Sequence, residues 1–159
     1  DVVLDDTYKE YLFTFNNMHP ETDEAEFQFN LSIDSGSNYN VTKTSTYFYA
    51  YHYESGSSAA LAYYAAGDLA QSTAFQNIAT NVGADNDQGV SGYLHLFNPS
   101  STTFVKHWIS QISNAHADNL MINPHTAGYG NTTSAIDAIQ FKMSTGDIDA
   151  GTIKLYGIK

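Results

Sequence analysis

The sequence predicts an all-β domain, a sandwich or barrel of roughly nine short strands at the spacing such folds use. Three observations carry that expectation. Apolar and polar residues alternate strictly in several runs, the signature of a half-buried strand. The chain holds 12 Tyr and 9 Phe, ring residues that suit a pleated surface. Gly, Asn, Asp and Pro punctuate the runs at short intervals, where turns need them.

The elements follow in order. Tyr11, Phe13 and Phe15 mark a first strand that is expected to end at Asn16-Asn17. Phe27, Phe29, Leu31 and Ile33 share one face of the next, with Gln28, Asn30 and Ser32 on the other and a turn at Gly36 and Asn38. A third run puts Tyr47, Tyr49, Tyr51 and Tyr53 on one face and Phe48, Ala50 and His52 on the other. The Ala-rich stretch from Ser57 to Ala70 has helical propensity. Gly67 and the flanking Ser and Gly residues favour strand and loop instead.

Thr73 to Val82 reads as a short strand, and Val90 to Phe97 as another, stopped by Asn98-Pro99. Thr103 to Ser113 follows, its alternating Val105, His107 and Ile109 favouring a strand over a helix. Leu120–Ile122 and Thr126–Tyr129 form either one strand broken at Pro124 or two. Ile139, Phe141 and Met143 alternate, residues 144–147 turn, and Thr152 to Ile158 returns as a closing strand. In that strand Ile153 and Leu155 are expected to face the core and pair with the Ile139–Met143 run. Lys154 would point outward, and Gly157 would permit close approach. No repeat or linker divides the chain, so residues 1–159 read as one domain. It opens at Asp1 without a Met, and an upstream segment is expected.

Charge narrows the function classes. Seventeen acidic residues against 6 Lys plus Arg give a net charge of −11, which repels phosphate backbones and argues against nucleic-acid binding. Without cysteine, disulfides and thiolate metal sites are excluded. No stretch approaches the ~20 apolar residues of a membrane-spanning helix, and no membrane insertion is expected.

No nucleophile elbow, zincin helix, phosphate loop or dinucleotide fingerprint occurs. The carboxylate pairs Asp5-Asp6, Glu24 with Glu26 and Asp147 with Asp149 read as solvated surface. His52, His95 and His107 fall in expected strands, and His19, His116 and His125 in expected loops. None has ligand spacing with a third candidate. Asp85-Asn86-Asp87-Gln88-Gly89 resembles the first half of a calcium loop but lacks the later donors, including a bidentate Glu. Turn chemistry is preferred there, with Asp85 and Asp87 as the calcium candidates. No cofactor, essential metal or catalytic activity is expected. Tyr47, Tyr49, Tyr51, Tyr53, Tyr63 and Tyr64 are candidates for a glycan platform or an interface, set against plain cross-strand packing.

The segment from Ser134 to Lys159, closing on Gly151-Thr152-Ile153-Lys154-Leu155-Tyr156-Gly157-Ile158, resembles the end of a family of tailed-phage virion proteins, particularly from marine phages. Tyr11-Leu12-Phe13-Thr14-Phe15-Asn16-Asn17 is similar to that family's first strand. Gly89-Val90-Ser91-Gly92 with Leu94 to Pro99 is similar to its middle. The resemblance implies a jelly-roll, lectin-like antiparallel sandwich serving as a tail-fibre or head-decoration piece on the particle surface. It implies other virion proteins as partners, as a homo-oligomer or array. It does not say whether this copy touches the host; a contribution to attachment at a host surface glycan is a separate expectation. It transfers no catalytic or ligand residues. The alternative reading is a carbohydrate-binding module or lectin domain.

Overall fold

Alternation becomes a two-faced ladder once a strand finds a partner, and one face must then be covered. A computed structural model describes all 159 residues and contains eleven strands and no helix. They are β1 (Val2–Val3), β2 (Glu10–Pro20), β3 (Ala25–Ser32), β4 (Lys43–Tyr53), β5 (Ala59–Tyr63), β6 (Gln76–Val82), β7 (Gly89–Phe97), β8 (Lys106–His116), β9 (Leu120–Gly130), β10 (Ala138–Met143) and β11 (Ile148–Ile158). The count exceeds the expected nine, and two-residue β1 is too short to leave a periodic trace.

Every pairing is antiparallel, in the order β1-β10-β3-β6-β8-β7-β2-β11, with β9 on β8, β4 on β9 and β5 on β4. The link between β6 and β8 is a single pair, Val82 with His116. There the ladder folds into a sandwich, with a small layer β1-β10-β3-β6 over a large layer β5-β4-β9-β8-β7-β2-β11. Rings interdigitate between the layers: Phe13 with Phe141 at 5.2 Å, Phe15 with Phe27 at 5.1 Å and Phe29 with Trp108 at 5.3 Å. Gly128 is required under Trp108, because a Cβ there would lie 2.4 Å from the indole Cζ2.

Several expectations need correction. β2 does not stop at Asn16-Asn17; a bulge lets Asn17 adopt a positive φ of 49° while its N–H donates to Ser91 Oγ, and pairing resumes at Met18. His19, His116 and His125 therefore lie in strands and not in loops. β9 runs unbroken through Pro124. Proline has no N–H to give the ladder, and Asn123 Nδ2 donates to the Ile112 carbonyl across from it at 2.5 Å. The Ala-rich segment yields β5 and a loop, as its glycines suggest. Ile33 is exposed beyond the end of β3, whereas Asn30 and Ser32 on the supposed polar face are fully buried.

The closing strand pairs with β2, Ile153 opposite Phe15 and Leu155 opposite Phe13, and not with β10. The connection after Met143 crosses between layers beside the β2–β3 connection, where Glu21 N–H donates to the Asp147 carbonyl. β11 is thus an outer edge of the large layer. Ile153 packs against the core, but Leu155 remains 39% exposed. Gly157 admits the Tyr8 ring, which a Cβ would meet at 2.2 Å.

Burial sets the expected costs. Phe15→Ala, fully inside, should cost about 3–5 kcal/mol in a denaturant titration. Leu155→Ala should cost under about 1 kcal/mol, as a half-exposed edge side chain does. A Leu155→Ala cost equal to that of Phe15→Ala would mean that the edge assignment of β11 is wrong.

Candidate functional site

The six candidate tyrosines do not form one platform. On β4, odd residues face the small layer and even residues face solvent. Tyr47 is fully buried, and Tyr49, Tyr51 and Tyr53 are half-buried along the same inner face. Tyr64, just past β5, turns to that side, its ring 5.5 Å from Tyr47 and 5.7 Å from Tyr49. Tyr63 pairs with Phe48 and so faces outward, where its hydroxyl donates to Asp68 Oδ2.

Beyond the reach of the small layer, the inner face leaves a depression of about 260 Å³ between β4, β9 and the end of β8. Tyr49, Tyr51 and Tyr53 wall it, with Leu120, Ile122, His116 and Asp118 completing the lining. The rings follow one another, Tyr49 tilted against Tyr51 at 6.1 Å and Tyr51 edge to face with Tyr53 at 5.9 Å. His116 Nδ1 accepts the Asp118 N–H at 3.0 Å, which assigns the ring hydrogen to Nε2. Burial lowers the His116 pKa from its ordinary value, against the opposing pull of Asp118, Glu24 and Asp23. An imidazole that accepts at Nδ1 is the neutral form.

The outward face of the large layer carries the second feature. A groove of about 530 Å³ runs over Thr44, Thr46 and Ala127 between His107, Ile109, Phe97 and Tyr129. Beside it a row crosses all seven strands through Tyr63, Phe48, His125, Gln111, Tyr93, Thr14 and Lys154. Phe48 stacks on His125 at 5.2 Å with 6° between the planes. From the groove to that row the outward carboxylates are Glu10, beside His95, and Asp68, held by the Tyr63 hydroxyl, in a chain with 17 acidic residues. Leu61 is 73% exposed and Ile109 47%, on a face that nothing covers.

The Asp85–Gly89 loop is a backbone turn, with Gln88 N–H donating to the Asp85 carbonyl at 2.9 Å. The same carbonyl lies 3.2 Å from His19 Nε2, and His19 Nδ1 lies 2.9 Å from Asp149 Oδ1. Asp87 lines a hollow with Asp149, while the Asp85 carboxylate does not join it. No three His, Asp or Glu side chains gather to hold a metal ion. Asn30-Leu31-Ser32 matches the Asn-x-Ser/Thr pattern of N-glycosylation, but all three residues are buried and closed to modification.

One carboxylate departs from the solvated reading. Glu26 is partly buried, with Oε2 shut off from solvent and unpaired, and burial pushes its pKa up to about 7. His116, Asp118 and the groove residues His107, Ile109 and Tyr129 were not singled out as a site by sequence. Alternation in β8 and β9 gives their faces, but not which face stays uncovered. No family model, curated protein or solved structure matches the chain.

Two measurements follow. The native state holds the Glu26 proton more tightly than the unfolded chain, so this group lowers stability as pH rises from about 4.5 to about 7. Glu26→Gln should raise the thermal midpoint at pH 8 and leave it nearly unchanged at pH 4; a pH-independent difference would rule out this titration. Prolonged EDTA treatment should not move the midpoint of the wild type. A fall that calcium restores would revive Asp85 and Asp87 as ligands, since a ligand that binds only the native state raises its stability.

Proposed function

We propose that this chain is a non-enzymatic structural domain on the surface of a tailed-phage virion, part of a tail fibre or appendage or of a capsid decoration. In this reading its partners are other virion proteins and further copies of itself, and it contributes to attachment at the host surface. The jelly-roll, lectin-like variety of sandwich belongs to the same reading. The sequence resemblance in the first, middle and closing strands supports the context.

The observation that carries the assembly role is the outward face of the large layer. A protein with net charge −11 has placed almost none of that charge there, and Phe48, Leu61, Tyr63, Tyr93 and Ile109 stand exposed instead. Contiguous apolar surface of this kind marks contact sites. Copies can approach through it without opposing fields of like charge. At a strand spacing of about 4.8 Å the seven strands span roughly 29 Å, wide enough for the ~800 Å² that each partner of a stable interface gives.

Sedimentation of the purified chain should show self-association that Ile109→Glu weakens by about tenfold or more, a change of at least about 1.4 kcal/mol. Gold-labelled antibody against the domain should decorate the outside of intact particles. A chain that stays monomeric both alone and within the particle, or an antibody that finds the antigen only in disrupted particles, would overturn the proposal.

A further inference from the structure

The depression beside Tyr51 lies on the opposite side of the large layer from the assembly face, so occupancy of one leaves the other free. Its chemistry is specific. Tyr49, Tyr51 and Tyr53 offer ring faces and hydroxyls on one wall, and Tyr51 Oη lies 3.3 Å from Ser58 Oγ. The other wall offers a donor on a buried ring and an exposed acceptor. His116 has its Nδ1 occupied by the Asp118 N–H, which leaves Nε2–H to donate, and the Asp118 carboxylate is 65% exposed. Leu120 and Ile122 give the floor an apolar surface.

A pyranose matches this set. Its C–H face packs on aromatic rings, and its vicinal hydroxyls both donate and accept, as a carboxylate beside an imidazole N–H requires. The volume, about 260 Å³, falls just below the about 300 Å³ at which small-molecule sites begin, and suits one sugar ring rather than a chain. Charge sets the class. Asp118, Glu24 and Asp23 all act on His116, and the whole chain is at −11, so a carboxylate- or sulfate-bearing sugar is repelled.

We infer that this depression binds a single neutral hexose unit, with Tyr51 as the stacking surface and Asp118 and His116 as the hydroxyl partners. The inference rests on virion display only for where the sugar comes from, namely an uncharged saccharide of the host surface. Binding by the purified chain is independent of it.

The test is saturation-transfer NMR and titration of the full chain with methyl galactopyranoside, glucopyranoside and mannopyranoside, and with sialyllactose as the anionic comparator. At least one neutral glycoside should bind saturably with a Kd of order 1 mM, as single-sugar contacts give. Tyr51→Ala and Asp118→Asn should each weaken it about tenfold or more, and Tyr63→Ala, on the opposite face, should leave it unchanged. Asp118 is exposed, so Asp118→Asn keeps the test valid if Tyr51→Ala proves unstable. The inference fails if no neutral glycoside saturates, if sialyllactose binds more tightly, or if Asp118→Asn binds as wild type. Sedimentation of the same samples reports assembly separately, so the two proposals stand or fall apart.

Discussion

A lysine ammonium removed from water with no carboxylate beside it is expensive to keep charged. Lys43 is fully buried, and its Nζ donates to Asn30 Oδ1 at 2.5 Å and to the Val41 carbonyl at 2.7 Å, both uncharged. Burial pulls its pKa down to about 7, so its share of stability grows as pH rises from there toward the ordinary lysine range. Asn30 is saturated in turn, donating to the Tyr39 and Thr73 carbonyls and accepting from Leu31 N–H. The backbone of Lys43 exchanges both of its bonds with Ser72. These contacts clamp the first residue of β4 to β3 in the other layer. Side-chain direction repeats every two residues, so a clamp at residue 43 sets the parity of all of β4. A slip by one residue would expose Tyr47 and bury Phe48 and His52.

That clamp explains what was and was not legible in the sequence. The parity of β4 could be read from Tyr47 to Tyr53, as could the inner faces of β3 and β10 and the end of β7 at Asn98-Pro99. Alternation records which residues share a face. It does not record what lies over that face, and coverage decides the rest. Gln28, Asn30 and Ser32 look like a wet face because they are polar, yet loops fold across Asn30 and Ser32, and Gln28 bonds along the sheet to Asn77 on β6. Leu155 has the right parity for the core but sits on an edge strand. Glu26 looks like one of a solvated pair, and its burial comes from neighbours distant in sequence. The partner of β11 was misjudged for a related reason. A short turn after Met143 suggests a hairpin, but this one steps from one layer to the other.

The large layer uses its two sides differently. Its inner side is core for most of its width and becomes an open aromatic hollow only where the small layer runs out, at Tyr51 and Tyr53. Its outer side is grooved, uncovered and nearly free of formal charge. The acidic residues gather in the loops and along the small layer, at Asp34, Asp85, Asp137 and Asp147 among others. Charge for solubility and surface for contact are therefore kept on separate parts of the molecule, and the two candidate sites lie on opposite sides of the same strands.

In a sandwich of two separate sheets, side-chain packing alone sets how one lies over the other. Here the Val82–His116 pair makes the two layers one ladder, and Asn114 Nδ2 donates to the Thr80 carbonyl at 2.7 Å next to it. The layers are pinned at one corner and cannot slide past each other there. Together with the Lys43–Asn30 bond between β4 and β3, that corner restrains how the layers can shift when the core volume changes. The hollow walled by Tyr53 and His116 lies beside this corner, so the residue that joins the two layers also lines the candidate site.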